Sequence, residues 1–117
     1  MDDILKATLL YDFYGELLTD KQKMIFEYYH LDDCSLTEIG DDLGISRQAV
    51  RDLLKRTENI LLGYEEKLKL VEKFGVHKQA VRDIKSLVQE IEKDCIKDSH
   101  IIEKIEKIKE IADEILD

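Results

Sequence analysis

The sequence predicts an all-α protein, and three observations predict it. Proline is absent and glycine is limited to five residues, so the two residue types that most disfavour a helix interior are scarce. Charged residues make up 38% of the chain and sit on a scaffold of Leu, Ile and Val, a mixture that favours helices over strands. Apolar positions recur at intervals of three and four along most of the length, the period of an amphipathic helix. At 117 residues the chain fits one domain, or a small domain with a helical extension, and can build a core without metal or disulfide staples.

From Asp3 to Leu17, the residues Ile4, Leu5, Leu9, Leu10, Phe13, Tyr14 and Leu17 give a first amphipathic helix, with Gly15 near its end. Thr19 followed by Gln22 forms a capping box for a second helix. Its expected buried stripe is Met24, Ile25, Tyr28, Tyr29 and Leu31, and it stops at the polar turn Asp32-Asp33.

The segment Leu36 to Lys55, LTEIGDDLGISRQAVRDLLK, has its small and apolar residues where a helix-turn-helix needs them. Ile39, Leu43, Ile45, Val50 and Leu53 fill the crevice between two crossed helices, Gly40 allows their close approach, and Gly44 is the turn residue at which a positive φ is least costly. Ser35 with Glu38 reads as a capping box for the first helix of the pair, and Ser46 as the N-cap of the second.

The second helix carries no stop signal at Arg56. Leu54, Ile60, Leu61, Tyr64, Leu68 and Val71 extend its apolar face to Phe74, Gly75 offers a C-terminal cap, and Gly63 is its one weak point. A continuous helix from Arg47 to Lys73 would span about 40 Å. The charged run YEEKLKLVEKF within it reads as a salt-bridged, exposed face.

Two further helices are expected. Val81, Ile84, Leu87, Val88, Ile91 and Cys95 mark the first; Ile101, Ile105, Ile108, Ala112 and Ile115 mark the second, with Asp98-Ser99 between them. The last series steps 4, 3, 4, 3, a short heptad seam that Ile102, Ile111 and Leu116 widen. The organisation is therefore a helix-turn-helix domain over residues 1–74, its motif at 36–55, followed by a helical hairpin at 75–117. That hairpin either packs on the long helix or forms a dimer interface.

Charge narrows the function. The formal net charge is −9, which argues against a protein whose affinity comes mainly from neutralising phosphates. From Met1 to Ser35 three Lys/Arg face eight Asp/Glu, whereas Ser46 to Arg56 holds Arg47, Arg51, Lys55 and Arg56 against only Asp52. Only the recognition helix is basic. Such a chain either steers a nucleic acid to that helix or binds a basic partner through its acidic body.

In a helix-turn-helix, side chains from the first turns of the second helix reach base edges. Here those are Ser46, Arg47, Gln48, Arg51 and Asp52. Arg47 or Arg51 suits guanine, Gln48 suits adenine, and Lys55 and Arg56 are placed for phosphates. The plain alternative is a solvated polar face with i,i+4 pairing, and Asp41 and Asp42 on the neighbouring helix end oppose phosphate binding. The acidic residues Asp2, Asp3, Asp12, Glu16, Asp20, Asp32 and Asp33 are spread over the N-terminal helices, among the aromatic residues Tyr11, Phe13, Tyr14, Phe26, Tyr28 and Tyr29. Two adjacent tyrosines cannot both point inward on one helix, so Tyr28 or Tyr29 is a candidate surface anchor.

Cys34 and Cys95, the only cysteines, belong to no close pair and read as free thiols. His30, His77 and His100 are isolated from one another, so no metal is expected. Phosphate-binding loops, nucleophile elbows and paired catalytic carboxylates are lacking, so neither a cofactor nor enzymatic activity is expected. MDDILKATLL lacks a basic leader, and no apolar run approaches the roughly 20 residues that cross a bilayer. A soluble cytoplasmic protein is expected.

LYDFYGELLTDKQ (Leu10 to Gln22), YYHLDDCSLTEIGDDLGISRQAVRDLLKRTE (Tyr28 to Glu58) and YEEKLKL (Tyr64 to Leu70) together closely resemble the YlxM family of small bacterial helix-turn-helix proteins. The same segment is similar, more generally, to the last, promoter-binding domain of sigma factors. The first resemblance implies a cytoplasmic protein, usually encoded beside the GTPase subunit of the signal recognition particle, that takes part in or regulates that targeting pathway. DNA or RNA binding would then fall on Arg47, Gln48, Arg51, Lys55 and Arg56. Partners implied are the GTPase subunit or its RNA. The rival expectation is a sequence-specific DNA-binding regulator, dimeric because one recognition helix reads only a short half-site.

Overall fold

The computed structural model describes residues 4–94 and 97–117. The free thiol expected at Cys95 and the acidic pair Asp2 and Asp3 lie outside the described residues. Six α-helices and no strand are present among those described: α1 (Ile4–Tyr14), α2 (Asp20–Phe26), α3 (Leu36–Leu43), α4 (Arg47–Leu68), α5 (Leu70–Lys93) and α6 (Ser99–Leu116). The all-α helix-turn-helix fold is as the sequence predicts. The chain divides into two compact units, one ending at Val71 and the other spanning Glu72–Asp117.

α4 is the spine of the first unit. Its Val50 and Leu54 pack with Ile25 and Ile39 in one buried cluster, and its Leu61 packs with Ala7, Leu10, Tyr14, Leu18 and Phe26 in another. α2 feeds both clusters through adjacent residues, Ile25 to the first and Phe26 to the second. Thr57 lies buried between them and donates its hydroxyl to the Leu53 carbonyl at 2.8 Å, so no polar atom is left without a partner there.

Both expected capping boxes form. The Thr19 hydroxyl accepts from Gln22 N while the Gln22 side chain accepts from Thr19 N, and Ser35 and Glu38 do the same for α3. Ser46 caps α4 by accepting from Ala49 N. These contacts satisfy amides that the first turn of any helix leaves unpaired.

α1 is apolar on more than one side, and only one side is used. Ala7, Leu10 and Tyr14 are buried, whereas Ile4, Leu5 and Leu17 of the expected stripe are 73%, 66% and 57% exposed. The buried set follows a three-to-four spacing that meets Phe26 and Leu61, and a cylinder cannot turn both of its apolar sides to one core. The second helix also departs from its expected phase. A wider π-helical turn follows α2 over Glu27–Leu31, closed by Asp32 N donating to Glu27 O at 2.9 Å and Cys34 N to Tyr28 O at 2.8 Å, with Asp33 left-handed at φ 56°. That turn rotates the later residues relative to α2. Ile25 and Phe26 of α2 are the buried pair, and beyond them Tyr28 is half-buried while Tyr29 and Leu31 face solvent.

The continuous helix expected from Arg47 to Lys73 is interrupted. α4 ends at Leu68, Lys69 turns left-handed at φ 56°, and α5 starts at Leu70 and runs straight through Gly75. The cause is a buried polar node. The Tyr14 hydroxyl donates to Glu65 Oε1 at 2.6 Å and accepts from Leu70 N at 3.0 Å, and Glu65 Oε1 also accepts from Val71 N at 3.0 Å. The two side chains cap the first amides of α5, so a helix can begin there without unsatisfied donors. Burial, followed by the neighbouring Glu65 carboxylate, pushes the Tyr14 hydroxyl pKa up, which keeps it a neutral donor. The run YEEKLKLVEKF is thus a helix junction with a half-buried carboxylate, and the expectation of one exposed salt-bridged face is corrected.

The second unit is an antiparallel hairpin. Lys78 Nζ donates to Leu116 O at 2.9 Å, Lys85 pairs with Asp113 at 2.5 Å, and Lys109 with Glu92 at 3.2 Å. The Lys109 ammonium is held above its usual range by Glu92 and then by Glu106. Asp98 caps α6 by accepting from His100 N. Val88, Ile105 and Ala112 are buried, but Ile101, Ile108 and Ile115 of the expected seam stay 44%, 41% and 51% exposed.

Two glycine substitutions separate packing from propensity. A Cβ on Gly40 would lie 2.7 Å from the Ile45 carbonyl oxygen, whereas a Cβ on Gly63 meets nothing within 4 Å. Gly40→Ala is expected to lower stability by about 1–3 kcal/mol through backbone displacement. Gly63→Ala is expected to raise it by about 0.5–1 kcal/mol. Urea unfolding followed by circular dichroism reads both signs.

Candidate nucleic-acid interface

The turn between α3 and α4 is short because two glycines make it so. Gly44 takes φ 69°, its amide donates to Gly40 O, and Ile45 N donates to the same carbonyl at 3.0 Å. Ile39 and Val50 are fully buried across the turn, with Leu43, Ile45 and Leu53 half-buried against the same cluster. All seven residues of the expected motif are therefore used. They fix the first turns of α4 at the surface of the unit.

Every residue proposed from sequence on that helix is exposed: Ser46, Arg47, Gln48, Arg51, Lys55 and Arg56. Arg47, Arg51 and Lys55 lie four residues apart and so share one face of α4. None of these three, nor Arg56, makes an ion pair or hydrogen bond among the described residues. That matters because a free guanidinium keeps its fork of donors for an incoming acceptor. Gln48 differs: its amide donates to Asp52 Oδ1 at 3.0 Å, a local pair that a base edge would have to displace. Asp41 and Asp42 are exposed at the end of α3, so the cationic face has an anionic flank.

The π-helical turn completes the site with residues that helical spacing alone did not connect to it. His30 Nε2 lies 2.8 Å from Glu58 Oε1 of α4, its ring packing on Phe26 at 4.4 Å between centroids and meeting Tyr29 edge-on at 5.0 Å. Through that half-buried tie, Tyr29 is held beside α4. Tyr29, Leu36, Arg51, Leu54, Lys55 and Glu58 line an open cavity of about 300 Å³. Of the two tyrosines considered as surface anchors, Tyr29 is the exposed one, at 39%.

Cys34 marks the acidic margin. Its thiol pKa is raised by burial first, then by Glu38, Asp32, Asp42 and Asp33. Among the described residues no group of three His, Cys, Asp or Glu side chains is placed to hold a metal ion, and no helix is long and apolar enough to cross a membrane.

Residues 1–110 match the family described as "Putative helix-turn-helix protein, YlxM / p13 like". The chain is 55% identical over 95 residues to a UPF0122 protein of Caldanaerobacter subterraneus, covering 81% of this chain and 74% of that one. It is 47% identical over 116 residues to a UPF0122 protein of Thermoanaerobacter sp. strain X514, with 97% of each covered. To one of Shouchella clausii it is 41% identical over 111 residues, covering 92% and 98%.

The carboxylates around Cys34 have a measurable consequence. A thiol whose pKa is raised carries less thiolate at a given pH, and thiolate is the reactive form. In a Cys95→Ser background, Cys34 is expected to react with an aromatic disulfide reagent more slowly at pH 8 than a free cysteine does. Its rate should still be climbing above pH 9, and a plateau below that pH would contradict the acidic surroundings.

Proposed function

The chain belongs to the YlxM / p13-like helix-turn-helix family, and we propose that it is a non-enzymatic regulatory protein of the cytoplasm that binds nucleic acid through the exposed face of α4. One observation carries this reading: Arg47, Arg51, Lys55 and Arg56 stand unpaired and exposed at the start of a helix on a chain of net charge −9. Four uncompensated cations within three turns, on an otherwise acidic protein, are a surface awaiting an anion. Arg47 and Arg51 supply base or phosphate contacts, Lys55 and Arg56 phosphate contacts, and Ser46 and Gln48 the polar groups at the helix start.

The family resemblance and the charge distribution support a place in the signal recognition particle pathway. The signal recognition particle offers both an RNA for the basic face and a basic GTPase subunit for the acidic body, on which Asp12, Glu16 and Asp20 are exposed, Glu16 already pairing with Lys23 at 3.2 Å. The alternative target is duplex DNA read at a short site, as a transcriptional regulator would. In this reading the helix-turn-helix domain makes both the nucleic-acid contacts, through α4, and the GTPase contacts, through its acidic N-terminal helices, and the C-terminal hairpin is left for self-association.

A dimer through the hairpin is supported by its uncovered apolar face. Val81, Ile84, Ile108, Ile111, Ala112 and Ile115 line a groove of about 260 Å³ with Ile84 and Ile111 each 49% exposed. Two such hairpins facing each other would make a four-helix bundle whose 4, 3 spacing interlocks.

Two measurements test these readings. Titrating signal recognition particle RNA and a mixed-sequence DNA duplex against increasing salt should give a slope that falls by about 1 for each phosphate contact removed by Arg47→Ala or Arg51→Ala. Unchanged slopes would remove α4 from the interface. Binding of the isolated GTPase subunit with both nucleic acids ignored would favour the protein partner. For the dimer, sedimentation of the full chain should show twice the protomer mass, reduced to one by Ile84→Glu with Ile111→Glu, and a monomeric unaltered chain would end that reading.

A further inference from the structure

The cavity beside α4 differs from the rest of the cationic face. Its floor is apolar, made by Leu36 and the buried Leu54; one wall is the exposed ring of Tyr29; Arg51 and Lys55 stand over it unpaired, and Glu58 contributes a carboxylate. At about 300 Å³ it sits at the small end of ligand pockets. A phosphate alone would use the two cations and leave the ring and the leucines idle. A paired base would keep its faces stacked in the duplex and could not reach the ring.

We propose that this cavity accepts one unpaired nucleobase of a single-stranded or bulged nucleic acid. The base stacks on Tyr29 and covers Leu36 and Leu54, and the adjoining phosphate lies against Arg51 and Lys55. An aromatic ring beside cations is the arrangement with which single strands are held. Glu58 gives the site a preference. One carboxylate oxygen is engaged by His30 at 2.8 Å, and the other is left to accept from an exocyclic amino group, so adenine and cytosine fit better than uracil or thymine. The His30 tie, braced by Phe26 and Tyr29, keeps both the ring and the carboxylate in place before any ligand arrives.

This inference rests on nucleic-acid binding by α4 and narrows it to a strand with an unpaired base. The test uses the full chain and short oligonucleotides carrying 2-aminopurine, whose emission is quenched when the base stacks, in RNA and DNA forms and as a perfect duplex. Quenching on binding the single strand is expected, with affinity lowered roughly 5- to 150-fold by Tyr29→Ala, the range that stacking of one base supports. Tyr29→Phe should bind as the unaltered chain does. Glu58→Gln should diminish the preference for oligocytidine over oligouridine. Tyr29 is exposed, and an unchanged melting temperature for Tyr29→Ala would establish that the loss is local. Equal single-strand affinity and equal quenching in Tyr29→Ala, while Arg47→Ala weakens every oligonucleotide, would overturn the base site and leave the α4 reading standing. Absence of binding to any strand would overturn both.

Discussion

The close approach of the Gly40 α-carbon to the Ile45 carbonyl is the constraint on which the exposed cationic face of α4 depends. A Cβ at position 40 would stand 2.7 Å from that oxygen, well inside contact distance, and the oxygen belongs to backbone that cannot rotate away as a side chain could. The same short turn is held by Ile45 N donating to Gly40 O. With α3 and α4 joined so tightly, Ile39 and Val50 are driven into the Ile25 cluster, and the opposite face of α4, with its arginines, has nowhere to go but solvent. Exposure of the cations is therefore a consequence of packing on the far side of the helix. Their own preference for water only agrees with it.

A second constraint acts at the other end of α4. Tyr14 and Glu65 are separated by 51 positions in sequence, yet they jointly cap Leu70 and Val71. The helix break is decided by a tertiary contact, and no property of the segment around Lys69 announces it. Lys69 takes a left-handed conformation, which a glycine would adopt at less cost, while Gly75 six residues later remains helical. The energetic reason is that two satisfied amides and a satisfied half-buried carboxylate outweigh the modest penalty of one lysine at positive φ.

That contrast explains what was legible in the sequence. Caps and tight turns are written locally: a serine or threonine with a carboxylate or amide three residues on, or a glycine at a fixed offset from apolar neighbours, leaves few alternative structures. Thr19, Ser35, Ser46, Gly40 and Gly44 therefore read correctly. Phase and termination were harder to read. The π-helical turn at Glu27–Leu31 inserts a rotation that a uniform helical period does not contain, and so it turns Tyr29 and Leu31 outward against the expected stripe. In α1 the apolar residues cover too wide an arc for periodicity to choose the buried side, and the choice falls to the position of Phe26 and Leu61. For the proposed interface, the α4 residues are visible in the sequence as a basic cluster, while the neighbouring aromatic wall depends on the His30–Glu58 tie across 28 positions.

The charge distribution decides what kind of binding such a surface can support. At physiological salt a charge is felt over about 8 Å, so a phosphate near Arg47 or Arg51 responds to the cations of α4 and only weakly to carboxylates on remote helices. Asp41 and Asp42 lie on the adjoining α3 and Asp52 on α4 itself, and these do weaken the field of the interface. An extended track of phosphates, running off the edges of this small cationic face, would soon meet the acidic remainder and be repelled. A ligand that places one or two phosphates on α4 and gains the rest of its affinity from shape, hydrogen bonds or an exposed base avoids that penalty. For the proposed interface, the acidic body would thus act as a filter against indiscriminate polyanion binding. A net charge of −9 and the proposed nucleic-acid site on the same chain are then compatible, because the first would limit the ligands among which the second must choose.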